Sequence, residues 1–361
     1  MGFLDWFRTT PRDEIASPWS DPNHLHQITL SELWPNLDHE QLPISRQQAM
    51  QIPALARCRN IIATSVGRMM LTAQSAAGVE LPDIVRQPDP GHPAYHTWTW
   101  TVDELFWHGR AFHYVLEERD GVAIRTRVLP QTLIDFDEAG EPIGYQGKQF
   151  PGRWIRIDGG IDGVLATGRQ SIRSALAIEQ AYRRAANMPV PAIDLHQTTP
   201  NPRLTADERR ELVAQWVAAR NSANGAVGYT SHNIDARPLG APAENLLIAA
   251  RNAAALDMAR VAGVPAWVVD ATTGGSSLTY SNLVDRNREL VDYSLQTYMA
   301  PIEARWSLND ILPAGQWARF NTLDWLRGDL KYRAEAYKAA KESGLMTDQQ
   351  IADAERGLPL E

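Results

Sequence analysis

The sequence predicts an α+β protein that is mainly helical, and three observations predict it. Apolar residues recur at three- and four-residue steps over much of the chain, which is the period of a helix with one buried face. Between residues 110 and 160 the period changes to two, the spacing of strands. Glycine and proline stand between these segments and divide the 361 residues into many short elements. A chain of this length forms two or three packing units.

The N-terminal third begins with an arm. Residues 1–45 contain five prolines and isolated tryptophans without a sustained period, so we expect this arm to be ordered only against a neighbour. Pro53 then begins a helix, and a second helix runs from Ala94 to Trp107 and ends at Gly109. The apolar stripe of the first helix consists of Leu55, Cys58, Ile62, Val66 and Met69.

The segment from 110 to 160 predicts a small β-rich unit. Alternating residues from Ala111 to Leu116 and from Val122 to Leu129 flank Asp120-Gly121, the residues of a tight hairpin turn. Further short strands are expected around Ile134 and Tyr145 and at Trp154–Ile157.

Two helices flank an insertion in the second half of the chain. The first is expected at 171–188, where prolines stop it, and the second at 243–262. Gly263 occupies the place of a left-handed helix cap, and Val264-Pro265 prevent continuation. The insertion, 191–241, has its own strands and a helix with the apolar face Leu212, Val213, Trp216 and Val217 behind a capping box, Thr205 to Glu208. A helical hairpin that carries a small α/β head is the simplest layout.

The C-terminal part continues as helices. We expect Ala266–Val269 to form a strand, a Gly/Ser-rich loop to follow, and a long helix to begin at Ser281. Pro301 should kink or break that helix about a turn earlier. A helix from about Asp329 to Ser343 and another from the capping box at Thr347 complete the chain.

Charge excludes one class of function. The net charge is −8, whereas a protein that grips DNA phosphates usually carries a basic surface. If this protein meets DNA, it should not clamp it. Apolar runs stay well below the ~20 residues of a membrane span, and Asp5 interrupts the start that a secretory signal needs. We therefore expect neither export nor anchoring.

Residues with metal or redox chemistry are few. Cys58 is the only cysteine, so an intrachain disulfide and a Cys-based zinc site are excluded, and a buried thiol in a reducing cytoplasm fits best. His92 and His96 have the spacing that places two imidazoles on one helix face. Because a third ligand at a zinc spacing is missing, we favour packing with Trp98 and Trp100.

Motifs of catalysis are missing. The glycines lack the spacing of a dinucleotide or phosphate loop, and Ser276 and Ser277 lack a Gly-x-Ser-x-Gly elbow. Acidic pairs such as Glu117-Glu118 fit a solvated surface better than paired catalytic carboxylates. The sequence predicts no catalytic residue, no cofactor and no metal.

Several short segments, in order along the chain, together carry a resemblance. They are Leu55–Ala63 with Val66-Gly67, Leu105–Phe112, Val128-Leu129-Pro130, Ala259–Pro265, Tyr280-Ser281-Asn282, Tyr298–Glu303, Leu326–Asp329 with Arg333, Gly344–Thr347 and Arg356–Pro359. From about residue 53 to its C-terminus the chain resembles the HK97-type family of tailed-phage portal proteins. It departs from the family pattern at Arg110 and Phe112, and it lacks the usual phenylalanine near Gly263.

The resemblance implies a portal fold with a β-rich wing, two stem helices flanking an α/β clip, and a C-terminal helical crown. The implied parts are an N-terminal arm (1–45), a wing (46–168 and 264–320), two stem helices (169–190 and 242–263), a clip (191–241) and a crown (321–361).

It also implies roles for particular residues. A tunnel loop, residues 270–281, would face the DNA channel through Asp270, Thr272, Thr273, Gly274, Gly275, Ser276 and Ser277. Partner-binding residues of the clip would be Glu208, Arg209, Arg210 and Glu211. The structural motif residues would be Gly263, Val264, Pro265 and Pro301.

The function that the resemblance implies is that of a portal, or head-tail connector, subunit. A ring of about twelve copies would pass double-stranded DNA, without sequence preference, during genome packaging and ejection at one capsid vertex. Expected partners are the terminase large subunit, a head-tail adaptor and the major capsid protein, with assembly in the host cytoplasm and no membrane. The alternatives are another phage structural protein, such as a head-tail adaptor, and a soluble enzyme.

Overall fold

The structure is a computed structural model that describes residues 43–150, 152–187, 192–198, 205–220, 234–239, 244–269, 281–322 and 330–355. Its helices are α1 (Arg46–Ala49), α2 (Pro53–Arg68), α3 (Asp83–Arg86), α4 (Ala94–His108), α5 (Val164–Thr167), α6 (Arg169–Asn187), α7 (Ala206–Arg220), α8 (Glu244–Ala262), α9 (Ser281–Leu290), α10 (Gln296–Trp306), α11 (Leu330–Glu342) and α12 (Asp348–Glu355). Its strands are β1 (Leu71–Ser75), β2 (Gly78–Glu80), β3 (Arg110–Arg119), β4 (Val122–Leu129), β5 (Ile134–Phe136), β6 (Pro142–Tyr145), β7 (Lys148–Gln149), β8 (Trp154–Asp158), β9 (Ala192–Gln197), β10 (Ile234–Leu239) and β11 (Trp317–Phe320).

The apolar stripe of the first long helix is the buried face of α2. The helix begins at Pro53, where the missing N–H of proline costs no intrahelical bond. All five stripe residues named above are buried. Helix α4 ends at Gly109, whose φ of +73° is the left-handed conformation that glycine adopts without strain. Both predicted helices are confirmed.

The predicted hairpin is also confirmed. Asp120 and Gly121 have φ values of +52° and +80°, and β3 and β4 pair antiparallel, with Phe112 opposite Leu129. Strand β8 pairs with the other edge of β3, so the sheet order is β4-β3-β8. A neighbouring sheet has the order β5-β6-β7.

A further sheet has the order β11-β1-β2. The pairs between β1 and β11 join residues far apart in sequence, since Leu71 lies opposite Phe320 and Gln74 opposite Trp317. Sequence reasoning missed this sheet because its strands are three to five residues long, too short for a period to be recognised.

The core lies between α2, α4, α10 and the sheets. Its largest fully buried side chains include Trp98, Trp107 and Trp306, and the rings of Trp98 and Trp306 meet edge to face at 5.2 Å. A second cluster joins two of the sheets and consists of Phe112, Tyr114, Leu129, Ile134, Tyr145 and Phe150.

The chain divides into two compact units. Unit 1 comprises the described residues up to Leu176 together with those from Asn252 onward, and unit 2 comprises those from Ala177 to Arg251. Within unit 2, β9 and β10 pair antiparallel, with Ile234 opposite Gln197.

One expectation is wrong, and a second holds only in part. Ala266–Val269 is a 3₁₀ turn, not a strand, in which the Val268 N–H donates to the Pro265 carbonyl at 3.0 Å. The Val268 carbonyl accepts from Arg57 Nε at 2.5 Å, so this backbone is satisfied without a neighbouring strand. We expected Pro301 to kink or break its helix, and the break does not occur, because α10 continues to Trp306. The departure from α geometry lies earlier, in a π-helical segment at Val291–Leu295.

Candidate functional site

Helix α7 of unit 2 carries the charged residues that the sequence singled out. Glu208, Arg209, Arg210 and Glu211 are all exposed in its first two turns. Arg210 pairs with Asp207 at 3.2 Å, and both side chains are at least 80% exposed, so this pair adds little stability. The helix therefore presents both signs of charge to solvent.

The start of α7 explains the position of Glu208. The Glu208 N–H donates to Thr205 Oγ1 at 3.3 Å, and the Glu208 carboxylate accepts from the Thr205 N–H at 2.7 Å and from the Thr205 hydroxyl at 2.8 Å. These bonds, the backbone bond first, lower the pKa of the Glu208 carboxyl. The predicted capping box is confirmed, and it occupies Glu208, whereas Arg209 and Glu211 extend into solvent.

Helices α6 and α8 are cross-linked within unit 2 by Arg251. Its Nε donates to Glu179 Oε1 at 2.9 Å, and its guanidinium lies over the Tyr182 ring, 4.2 Å from the centroid. The pair is partly shielded, since Glu179 is 16% exposed and Arg251 36%. A planar guanidinium that pairs and stacks at once holds two helices at a defined distance.

Gly263 ends α8 as the sequence predicts. Its φ is +67°, its N–H donates to the Arg260 carbonyl at 3.2 Å, and the Val264 N–H donates to the Ala259 carbonyl at 2.9 Å. These two bonds make a Schellman motif, with Val264 and Ala259 both buried. The Gly263 carbonyl accepts from the Ser294 hydroxyl at 2.8 Å, which fastens the cap to the π-helical segment.

The proposed tunnel-loop residues, Asp270 to Ser277, lie outside the described residues. The description stops at Val269 and resumes at Ser281. The structure therefore positions the two ends that carry this loop, of which the 3₁₀ turn at Ala266–Val269 is packed against α2 through Arg57.

Buried charges that sequence reasoning missed organise unit 1. Asp103 is fully buried in α4. Its carboxylate forms ion pairs with Arg46 at 3.0 Å and Arg59 at 2.5 Å, and it accepts a hydrogen bond from Trp107 Nε1 at 2.8 Å. The sequence did contain an indication of this cluster. An aspartate on the apolar face of a predicted helix must be buried, and a buried carboxylate needs cationic partners. Asp103 thus ties α1 and α2 to α4.

Asp89 is the second such charge. Burial alone would raise the pKa of its carboxyl, but hydrogen bonds from His92, Arg127 and the Gly91 N–H hold it well below the usual range. Arg127 reaches both oxygens, at 2.7 and 2.8 Å, and His92 Nδ1 lies 2.9 Å away. His92 also meets Trp100 edge to face, so its contacts are a hydrogen bond with a buried carboxylate and aromatic packing.

His113 is fully buried in unit 1, and His108 is partly buried. Burial lowers the pKa of His113 to about 3 and that of His108 to about 4. The His113 ring lies between Thr101 Oγ1, at 2.9 Å, and Thr126 Oγ1, at 3.3 Å. The buried His113 ring therefore packs in the core as an uncharged side chain near neutral pH.

In the described part of the chain, His, Cys, Asp and Glu side chains do not gather in groups of three that could hold a metal ion. Cys58 is buried, and burial raises the pKa of its thiol to about 12. Over the same residues, every helix is too short or too polar to cross a membrane.

The chain is similar to known proteins both in sequence and in fold. The family model described as phage portal protein matches residues 53–355. The crystal structure of an HK97 family phage portal protein from Corynebacterium diphtheriae is similar, with 29% sequence identity, coverage of 78% of this chain and 96% of that chain, and a TM-score of 0.65.

Two gene transfer agent particles contain similar chains. One in the neck of a native particle, computed with C12 symmetry, is 16% identical, covering 92% of this chain and 100% of that chain with a TM-score of 0.58. One in the neck of an empty particle, computed with C6 symmetry, is 16% identical, covering 89% and 96% with a TM-score of 0.59. At this identity the likeness is one of fold. No curated protein sequence matches the chain.

Proposed function

Because the chain belongs to the phage portal protein family, which it matches over residues 53–355, we propose that its ring is the conduit through which double-stranded DNA enters and leaves a viral head. The family is structural, and the chain is a ring-forming subunit at the portal of the virion. The observation that carries the proposal is this match across nearly the whole described chain. We further propose a ring of about twelve copies, assembled in the host cytoplasm and placed at one capsid vertex.

We propose the parts of the portal that the family resemblance implies, placed on the elements of the structure. Helices α6 and α8 are the stem, and the α/β elements between them, β9, α7 and β10, are the clip. The elements from α1 to α5, with α9, α10 and β11, are the wing, and α11 and α12 are the crown. The Arg251 cross-link supports the assignment of α6 and α8 as a pair.

Charge supports passage of DNA rather than retention. Twelve subunits at −8 each bring a total near −96 before counterions, and such a ring repels phosphates. The segment from Asp270 to Tyr280 contains neither lysine nor arginine, so as a tunnel loop it would touch the duplex without ion pairs. DNA would slide past it.

The clip supplies the surface for partners. Its exposed Arg209, Arg210 and Glu211 on α7 suit a terminase large subunit during packaging and a head-tail adaptor afterwards. The major capsid protein is the proposed partner of the wing. Rim charges of this kind steer association and choose partners more than they add affinity.

Negative-stain microscopy of the purified full-length chain tests the proposal. Rings with a central hole are expected, and a protein that stays monomeric at all concentrations would contradict it. The clip assignment has a separate test, in which Arg209→Ala with Arg210→Ala should weaken terminase binding. Arg119→Ala, at a side chain 73% exposed in unit 1, is the matched control. Equal terminase binding by all three chains would refute the clip assignment.

A further inference from the structure

A cleft of about 360 Å³ opens in unit 1 beside the Gly263 cap. We name it the cap groove. It lies where the end of α4, the loop before α5, the end of α8 and the π-helical segment meet. Its floor is apolar and buried and includes Phe106, Val164, Ala262 and Tyr298.

Two large apolar side chains stand at the rim of the cap groove. Ile161 is 56% exposed and Tyr293 is 79% exposed, the highest value among the exposed large hydrophobic residues of the described chain. The floor residues are at most 6% exposed, so the apolar surface that meets water here is mainly that of Ile161 and Tyr293. Exposed large apolar side chains grouped at one cleft mark it for contact with another protein.

The rim is held rigidly. A Cβ atom on Gly109 would lie 2.5 Å from the Ile161 carbonyl oxygen and 2.7 Å from the Gly163 nitrogen, so the loop that carries Ile161 packs directly on the end of α4. The Gly159 N–H donates to the Gly109 carbonyl at 2.8 Å. On the opposite side, Ser294 fixes the π-helical segment to Gly263. The backbone segments that carry Ile161 and Tyr293 are therefore fixed before binding, which reduces the entropy lost on association.

The charges around the cap groove argue against nucleic acid as its occupant. Arg260, at the rim, pairs with Asp257 at 2.8 Å, and Arg288 pairs with Asp292 at 3.5 Å beside Tyr293. Asp162 adds a further carboxylate to the lining. A phosphate-binding surface needs an excess of unpaired cations, whereas an apolar centre with a rim of mixed charge is typical of a stable protein interface.

We propose that the cap groove is a subunit interface of the ring, occupied by a second copy of this chain. The inference rests on the proposed function, because a cyclic ring is built from heterologous contacts in which each subunit presents a recess to a different patch of its neighbour. The groove supplies the recess. Tyr293, displayed by the π-helical turn, is the residue that the neighbour covers.

Thiol labelling of assembled rings tests this inference. Cys58 is the only native cysteine and is buried, so a cysteine introduced at the surface is the reactive thiol. Tyr293→Cys is compared with Leu345→Cys, since these side chains are 79% and 78% exposed in the subunit. In rings, a maleimide should react with Tyr293→Cys on the order of tenfold more slowly than with Leu345→Cys, because an interface core excludes solvent. After denaturation both should react equally.

Assembly gives a second readout. Tyr293→Asp should leave the melting temperature of the subunit unchanged, because the side chain is exposed, but should reduce the ring fraction in size-exclusion chromatography. Tyr293→Phe should assemble normally.

The outcomes separate the inference from the proposed function. A wild-type chain that forms no rings contradicts the proposed function. Rings in which Tyr293→Cys reacts as fast as Leu345→Cys, together with normal assembly of Tyr293→Asp, overturn the cap groove as an interface and leave the proposed function standing.

Discussion

The carboxylate of Glu303 caps the free edge of strand β11 by accepting the backbone N–H of Phe320 at 2.9 Å. Its other oxygen accepts from Arg319 Nη1 at 2.6 Å, and Glu303 is only 5% exposed. Ser307, the residue that follows the last residue of α10, accepts the Ala318 N–H at 2.9 Å through its side chain. Since the opposite edge of β11 pairs with β1, a helix takes the place of a further strand, and the edge is closed to pairing with another chain.

Glu303→Ala should therefore destabilise unit 1. The substitution leaves a buried N–H without an acceptor and removes the partner of Arg319, and we expect a loss of about 2–4 kcal/mol. Glu303→Gln keeps an acceptor for Phe320 and should lose roughly half as much. Denaturant unfolding monitored by tryptophan fluorescence measures both, and equal stability of Glu303→Ala and wild type would show that the edge needs no cap.

Gly263→Val should weaken the end of α8 through its backbone. The φ of +67° is unfavourable for a residue with a Cβ, and the strain costs about 1–2 kcal/mol or more for a β-branched side chain. A Cβ at this position would meet no atom within 4 Å, so the backbone conformation is the main cause of the loss. Gly263→Asn, which tolerates positive φ better, is the control. Thermal melting should rank glycine above asparagine and asparagine above valine, and a valine variant as stable as wild type would contradict the cap.

Acid should destabilise the protein through His113. Burial lowers its folded pKa to about 3, whereas an unfolded histidine titrates near ~6.5. Between these values the unfolded state binds the extra proton, so stability falls as the pH falls through this range. At pH 5 the loss from this residue is about 2 kcal/mol relative to pH 7.

His113→Gln provides the comparison for that titration. It keeps a polar side chain between Thr101 and Thr126 but cannot be protonated. Its stability should be lower than that of wild type at pH 7 and should change less between pH 7 and pH 5. If both chains lose the same free energy of unfolding over that range, other groups are responsible for the acid sensitivity.

Ser276→Lys tests the proposed tunnel loop, which lies outside the described residues. About twelve added cations around the channel would pair with phosphates and make DNA movement salt-dependent. We expect normal rings, slower packaging or ejection at low salt, and recovery as salt rises, while the wild type changes little. If the variant packages DNA at the wild-type rate at every salt concentration, the assignment of this loop to the channel is wrong.

The elements that sequence reasoning found are those whose pattern is local. The stripe from Leu55 to Met69, the Asp120-Gly121 turn and the Thr205 capping box each depend on residues within a few positions, and each is confirmed. The cap at Gly263 has the same character, because glycine before Val264-Pro265 leaves few conformations available.

The elements that it missed depend on distant partners. The four apolar residues Ala266–Val269 have the pattern of a strand. The hydrogen bond from Arg57 to the Val268 carbonyl, which replaces a neighbouring strand, cannot be recognised from the local sequence. In the sequence, Glu303 looks like an ordinary helical glutamate. Its role as acceptor of the Phe320 N–H depends on a residue 17 positions away. The proposed site could be predicted only in part for the same reason, since Arg209 and Arg210 follow from local charge, whereas the cap groove requires four separated segments.

The pairing of Leu71 with Phe320 sets an order of events during synthesis of the chain. Unit 2 is one continuous stretch from Ala177 to Arg251, so it can be complete once those residues have left the ribosome. Unit 1 begins earlier and finishes later, because β1 waits for β11, made about 250 residues afterwards. In a nascent chain halted before residue 317, unit 2 would be complete but unit 1 would lack β11. One edge of β1 would then be free to pair with another strand.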